Sequence, residues 1–174
     1  LSWSSSRSVS DCRLSAIGDW PCRIGWNGNP AIALATKPST INTRTSWSFK
    51  ILADNFTASN ITFQNNAGFS AGQAVAVESD GDKASFINCR FIGNQDVLFT
   101  NSDKSRQYYQ QCYIEGTTDF IFGAATVWFQ QCHIHSKKNS HITAASTTKE
   151  KKYGYVFYDC VLTGDTALHN VSLG

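Results

Sequence analysis

The sequence has no methionine, only three prolines and no apolar run near the ~20 residues that a membrane-spanning helix needs. It also opens without the charged-then-apolar leader of a signal peptide, so the expectation is that any leader has been removed or was never part of this polypeptide. An excess of charge of either sign is missing too. Fifteen Lys and Arg against thirteen Asp and Glu leave a formal net charge of +2, too balanced for a nucleic-acid-binding or membrane surface. Lys149, Lys151 and Lys152 form the one small basic cluster and read as a solvated loop. Helical periodicity is absent as well, which argues against a four-helix or doubly wound fold. At 174 residues the chain is long enough for one domain with a sizeable core.

What the chain does contain is Asn, Ser, Thr, Gly, Phe and Tyr, a composition of strands joined by turns. Three glycosylation sequons, at Asn55, Asn60 and Asn170, are compatible with secretion. Four of the six cysteines sit in a repeat. The segments are Phe86-Ile-Asn-Cys89-Arg-Phe91, Tyr109-Gln-Gln-Cys112-Tyr-Ile114, Phe129-Gln-Gln-Cys132-His-Ile134 and Phe157-Tyr-Asp-Cys160-Val-Leu162. A weaker copy, Asn60-Ile-Thr-Phe63, carries Ile61 in the Cys place. The cysteine spacings are 23, 20 and 28 residues.

One strand every twenty-odd residues, always with the same inward pattern, predicts an all-β solenoid of parallel strands. Like residues then stack into aromatic, Cys and aliphatic columns at the interstrand distance of ~4.8 Å. Cys89, Cys112, Cys132 and Cys160 read as buried reduced thiols, since paired zinc-ligand spacings are missing. Cys12 and Cys22, in an irregular stretch, are the better disulfide candidates. Residues 1–45 read as an irregular N-terminal segment and 46–174 as successive coils, with loops at 64–72, 77–83, 93–106, 115–124, 136–152 and 163–169. Gln107, Gln110, Gln111, Gln130 and Gln131 read as outward strand residues, and His133 and His135 as exposed polar ones.

The repeat serves as a ruler for the polar residues. Gln73 to Gln95 is 22 residues and Asp96 to Asp119 is 23, each about one coil, so each pair belongs on neighbouring turns. Asp119, in Glu115-Gly-Thr-Thr-Asp-Phe-Ile-Phe-Gly123, leads straight into apolar residues, as Asp96 does in Gly93-Asn-Gln-Asp-Val-Leu-Phe99. Two carboxylates a few ångströms apart do not both ionise comfortably, which leaves one acid and one base at the same pH. Two glutamine amides nearby could donate to an oxyanion. The alternative is that these polar groups only bond turn amides at coil corners.

These segments, with Asn60-Ile-Thr-Phe-Gln-Asn-Asn-Ala-Gly68, Gly72-Gln-Ala-Val-Ala76 and His141-Ile-Thr-Ala-Ala145, closely resemble in order and spacing the signature segments of pectin methylesterases. The resemblance covers roughly residues 50–174. It implies a right-handed parallel β-helix that removes methyl groups from galacturonate esters of pectin without metal or organic cofactor, as a secreted, monomeric enzyme. It implies Asp119 as nucleophile, Asp96 as general acid and then base, and Gln73 and Gln95 as oxyanion donors. Phe122, and with it Phe99, would line the sugar cleft. In that family an arginine after a leucine-glycine holds the nucleophilic aspartate. This chain stops at Val171-Ser-Leu-Gly174, so the expectation is a β-helix lacking its last coils, that arginine and a cleft tryptophan. Two rival readings share the solenoid. One is a polysaccharide lyase, whose calcium-binding cluster would have to be built from Asp96, Asp119 and Glu115. The other is a β-helix that binds polysaccharide without turnover.

Overall fold

The computed structural model describes residues 42–174, together with the backbone of two short strands, Ser15–Ala16 (β1) and Arg23–Trp26 (β2). Cys12 and Cys22, and most of the segment read as irregular, lie outside the described residues. The first described strands are β3 Phe49–Ile51, β4 Phe56–Ser59, β5 Ile61–Gln64 and β6 Val77–Ser79. The next coils are β7 Ala84–Ile87, β8 Arg90–Ile92 and β9 Leu98–Thr100, then β10 Arg106–Gln110, β11 Tyr113–Gly116 and β12 Ile121–Gly123. They are followed by β13 Thr126–Gln130, β14 His133–Ser136, β15 Thr143–Ala145, β16 Tyr155–Tyr158 and β17 Val161–Gly164.

From β3 onwards every third strand returns to the same sheet, and all of those pairings are parallel. Sheet 1 runs β3-β6-β9-β12-β15, sheet 2 β4-β7-β10-β13-β16 and sheet 3 β5-β8-β11-β14-β17. β2 and β1 join sheets 2 and 3 antiparallel, against β4 and β5. This is a right-handed parallel β-helix, the hand that parallel crossovers take.

Each Cys motif turns out to be two strands meeting at a corner. The residue before the Cys place is Asn60, Asn88, Gln111, Gln131 or Asp159, with φ of 58°, 51°, 53°, 53° and 52°. A left-handed residue bends the chain between sheets 2 and 3, and short polar side chains such as Asn and Asp tolerate that conformation best. The corners also bond one another: Asn88 Nδ2 donates to Asn60 Oδ1 at 2.7 Å, and Gln131 Nε2 to Asp159 Oδ2 at 3.1 Å.

The expected columns are present. Phe86, Tyr109, Phe129 and Phe157 are in register and stack ring on ring, with centroids 4.8, 5.0 and 4.8 Å apart. Phe91, Ile114, Ile134 and Leu162 form the aliphatic column, with Phe63 stacked on Phe91 at 5.4 Å. Each fully buried large side chain contributes roughly 1.5–3 kcal/mol of transfer free energy, so the core gains stability coil by coil. Cys89, Cys112 and Cys132 are buried free thiols and Cys160 is a half-exposed one, and each Sγ points at a carbonyl of its own or the preceding coil.

Two sequence expectations need correction. The stretches 77–83, 93–106, 115–124 and 136–152 are not simply loops, because each contains a three-residue strand of sheet 1. Such a strand is too short to display an alternating pattern, and Val77–Ser79 and Leu98–Thr100 are buried throughout. Gln107 faces inward. Its Nε2 donates to Ser79 O and Ser105 Oγ, both at 2.9 Å, and its Oε1 accepts from the buried Tyr109 hydroxyl at 2.8 Å.

Candidate active site

Asp96 and Asp119 stand two residues ahead of β9 and β12, and Leu98 pairs with Ile121 in register. The two acids therefore lie side by side on consecutive coils. Both adopt left-handed backbone, with φ of 61° and 48°. The Asp96 N–H donates to Thr118 O at 3.2 Å and the Asp119 N–H to His141 O at 2.8 Å. The next residues, Val97 and Phe120, are completely buried. Each carboxylate is thus fixed by a backbone bond on one side and a core anchor on the other. Strained conformations of this kind persist where the surrounding structure over-determines them.

Burial separates the two acids. Asp96 is only 5 % exposed, whereas Asp119 is half-buried. The Asp96 carboxyl is pushed up to about 6, first by loss of hydration and then by the neighbouring Asp119 charge, while a hydrogen bond from Gln95 favours the anion. Near neutral pH a proton is therefore readily held on, and readily released from, Asp96.

Gln73 and Gln95 form a parallel bridge, with the Ala74 N–H donating to Gln95 O at 3.0 Å. Thr43, whose role sequence reading missed, supplies a hydroxyl that donates to Gln73 Oε1. With its carbonyl oxygen engaged, the Gln73 amide offers its Nε2 hydrogens to whatever lies opposite. A hint existed in the sequence, since Thr43 precedes Gln73 by 30 residues, close to the 28 that separate the paired Phe49 and Val77.

Phe99 and Phe122 occupy matching positions on β9 and β12 and stack at 4.4 Å with planes 7° apart. Trp47 and Val75 pack with them to form a second, smaller apolar cluster beside the acids. Glu115 does not join the pair. It lies on sheet 3, where it accepts from the Tyr113 hydroxyl at 2.9 Å and from Lys137 Nζ at 3.2 Å, so the carboxylate cluster a lyase would need is not assembled from these three acids. Among the described residues no three His, Cys, Asp or Glu side chains gather as a metal site. His133 is exposed; His133 Nε2 and His135 Nδ1 lie 2.7 and 2.8 Å from Thr163 Oγ1, and His135 Nε2 is 3.0 Å from Asp165.

Comparison with known proteins identifies the family. The family model described as Pectinesterase matches residues 26–173. Pectinesterase 31 of Arabidopsis thaliana is 48 % identical over 113 residues, which cover 64 % of this chain and 35 % of that protein. Among solved structures, the pectin methylesterase from carrot superposes with a TM-score of 0.72 at 32 % identity, over 77 % of this chain and 45 % of the other. A pectin methylesterase in complex with a hexasaccharide gives 0.67 at 28 % identity, over 79 % and 47 %. The chain spans about a third of the length of the first of these relatives and just under half of the two structures. With a matching family model over most of its length, and a fold shared with family members, the chain belongs to the pectinesterase family.

Proposed function

We propose that these residues carry the reaction centre of an extracellular esterase that hydrolyses methyl esters of galacturonate in pectin, releasing methanol and leaving pectate. The observation that carries this reading is the unequal acid pair, with Asp96 titrating at about 6 beside Asp119 and two glutamine amides on adjoining coils.

In this scheme Asp119 attacks the ester carbonyl as a carboxylate. The tetrahedral oxyanion is met by the amide hydrogens of Gln73 and Gln95, which supply positive dipole where charge grows. Collapse breaks the bond to the methoxy oxygen, which takes the proton of Asp96 and leaves as methanol. The product is an anhydride between Asp119 and the galacturonyl group. Asp96, now ionised, takes a proton from water as that water attacks the galacturonyl carbonyl. The anhydride breaks, galacturonate departs, and both acids return to their starting states. The half-buried Phe122, stacked on the buried Phe99, offers apolar ring surface to a sugar, and the similar structure holding a hexasaccharide supports a polysaccharide substrate.

The test is methanol release from methylated galacturonan by the protein in its full reading frame. Asp119→Asn is expected to reduce turnover by orders of magnitude while the fold, read by circular dichroism, is kept. Full turnover by that variant refutes the scheme, and polymer binding without methanol release in the unaltered protein favours a binding role. Because the acylation step needs Asp96 protonated, kcat/KM is expected to fall as pH rises through about 6.

A further inference from the structure

Asp96 and Asp119 end the turns that lead from sheet 3 into sheet 1 on consecutive coils, residues 93–96 and 117–119. Lys137, the residue after β14 on the following coil, touches both turns. Its ammonium donates to Gly93 O, 44 residues back, and lies 3.2 Å from Glu115 Oε1, 22 residues back. Ile92, Glu115 and His135 are in register on sheet 3, so the side chain reaches across two coils to the residue where the Asp96 turn begins. Both ends of this link are fixed: the Lys137 N–H donates to Gly116 O at 2.8 Å, and Glu115 Oε2 accepts from the Tyr113 hydroxyl at 2.9 Å.

Beyond Gly93 the two turns are bonded to each other, since the Thr117 N–H donates to Asn94 O at 2.9 Å and the Asp96 N–H to Thr118 O at 3.2 Å. Asn94 Nδ2 also donates to Ala67 O at 2.8 Å, on the coil before. Gly93 is the pivot of the segment. It is buried, and a Cβ there would sit 2.9 Å from Val97 Cγ2, so the position has no room for a side chain. Without a Cβ its backbone rotates more freely than that of any other residue. Lys137 gives the Gly93 carbonyl a charged donor, and a buried carbonyl that loses its donor is driven to turn towards another partner. Such a rotation passes through Asn94 to Gln95 and Asp96.

We propose that Lys137 is a positioning residue of the esterase reaction, an inference that rests on the function proposed above. By holding Gly93 O while paired with Glu115, it sets the turn that carries Gln95 and Asp96 against the turn that carries Asp119. It touches neither the reacting atoms nor the aromatic pair. Its effect therefore falls on the alignment of proton donor, oxyanion donor and nucleophile, and not on the hold on the polymer.

The experiment measures methanol release from methylated galacturonan by the protein in its full reading frame, with Lys137→Met, which keeps an unbranched apolar stem and removes the ammonium, and Lys137→Arg, which keeps the charge and the donors. Folding of each variant is followed by circular dichroism and urea midpoint. Lys137→Met is expected to lower kcat about tenfold, because small misplacements of reacting groups are costly, with KM within about twofold of the parent's. Lys137→Arg is expected to recover most of the lost kcat. A kcat in Lys137→Met within about twofold of the parent's overturns the proposal, as does a loss confined to KM or an equal loss in Lys137→Arg. Unfolding of Lys137→Met under assay conditions overturns it too, since the link then serves stability alone. Failure of the esterase reading is visible separately, as absence of methanol release by the unaltered protein or its persistence after Asp119→Asn.

Discussion

Asp96→Asn should make the protein more stable at neutral and alkaline pH while it removes activity. A carboxyl that ordinarily titrates at 3.8 and here titrates at about 6 is about 3 kcal/mol harder to ionise in the folded chain than in the unfolded one. Its folded value is raised, so the native state holds the proton more tightly. The protonated side chain therefore costs nothing below pH 3.8. Between 3.8 and about 6 the unfolded chain releases its proton first, native stability declines, and above about 6 the whole deficit is present. An amide of the same shape never ionises, and asparagine accepts the left-handed backbone that this position imposes. The variant is therefore expected to gain about 2–3 kcal/mol over the parent in denaturant unfolding at pH 8, with the gain fading towards zero by pH 3.5. Because burial is the larger cause and the Asp119 charge the second, Asp119→Asn should lower the Asp96 value only partway. A variant that is no more stable at pH 8, or one whose gain does not depend on pH, would refute the claim that Asp96 is poised by desolvation.

Other perturbations probe separate links. Thr43→Val removes the hydroxyl that engages Gln73 Oε1, and kcat for methanol release should fall about 10- to 100-fold with KM little changed; an unaltered kcat removes Thr43 from the positioning role. Phe129→Ala opens the centre of the ring stack between Tyr109 and Phe157, and urea unfolding should show a loss of about 3–5 kcal/mol. Gly123 has a φ of +124°, and a Cβ there would sit 2.1 Å from the Thr100 carbonyl oxygen. Gly123→Ala is thus expected to cost at least about 1–3 kcal/mol, read as a lowered urea midpoint, and a midpoint equal to the parent's would contradict the tight contact between coils.

The linear sequence determined the spiral and its pitch. Aromatic, Cys and apolar residues recurring at 20- to 28-residue intervals leave few ways to bury them other than stacking coil on coil, and that stacking puts Asp96 next to Asp119. Tertiary structure decided the rest. The strands of sheet 1 are three residues long and are recognisable only through bonds to the coils on either side. Gln107 looked like any other strand glutamine until a buried tyrosine hydroxyl and a carbonyl of the preceding coil claimed its amide. Thr43 and Trp47 lie outside the repeat, and only the folding of their turn onto Gln73 and Phe99 makes them part of the site. The physical reason is the same in each case. Periodic burial is written locally in residue type and spacing, whereas a hydrogen bond or ring contact between distant segments exists only once the coils have closed.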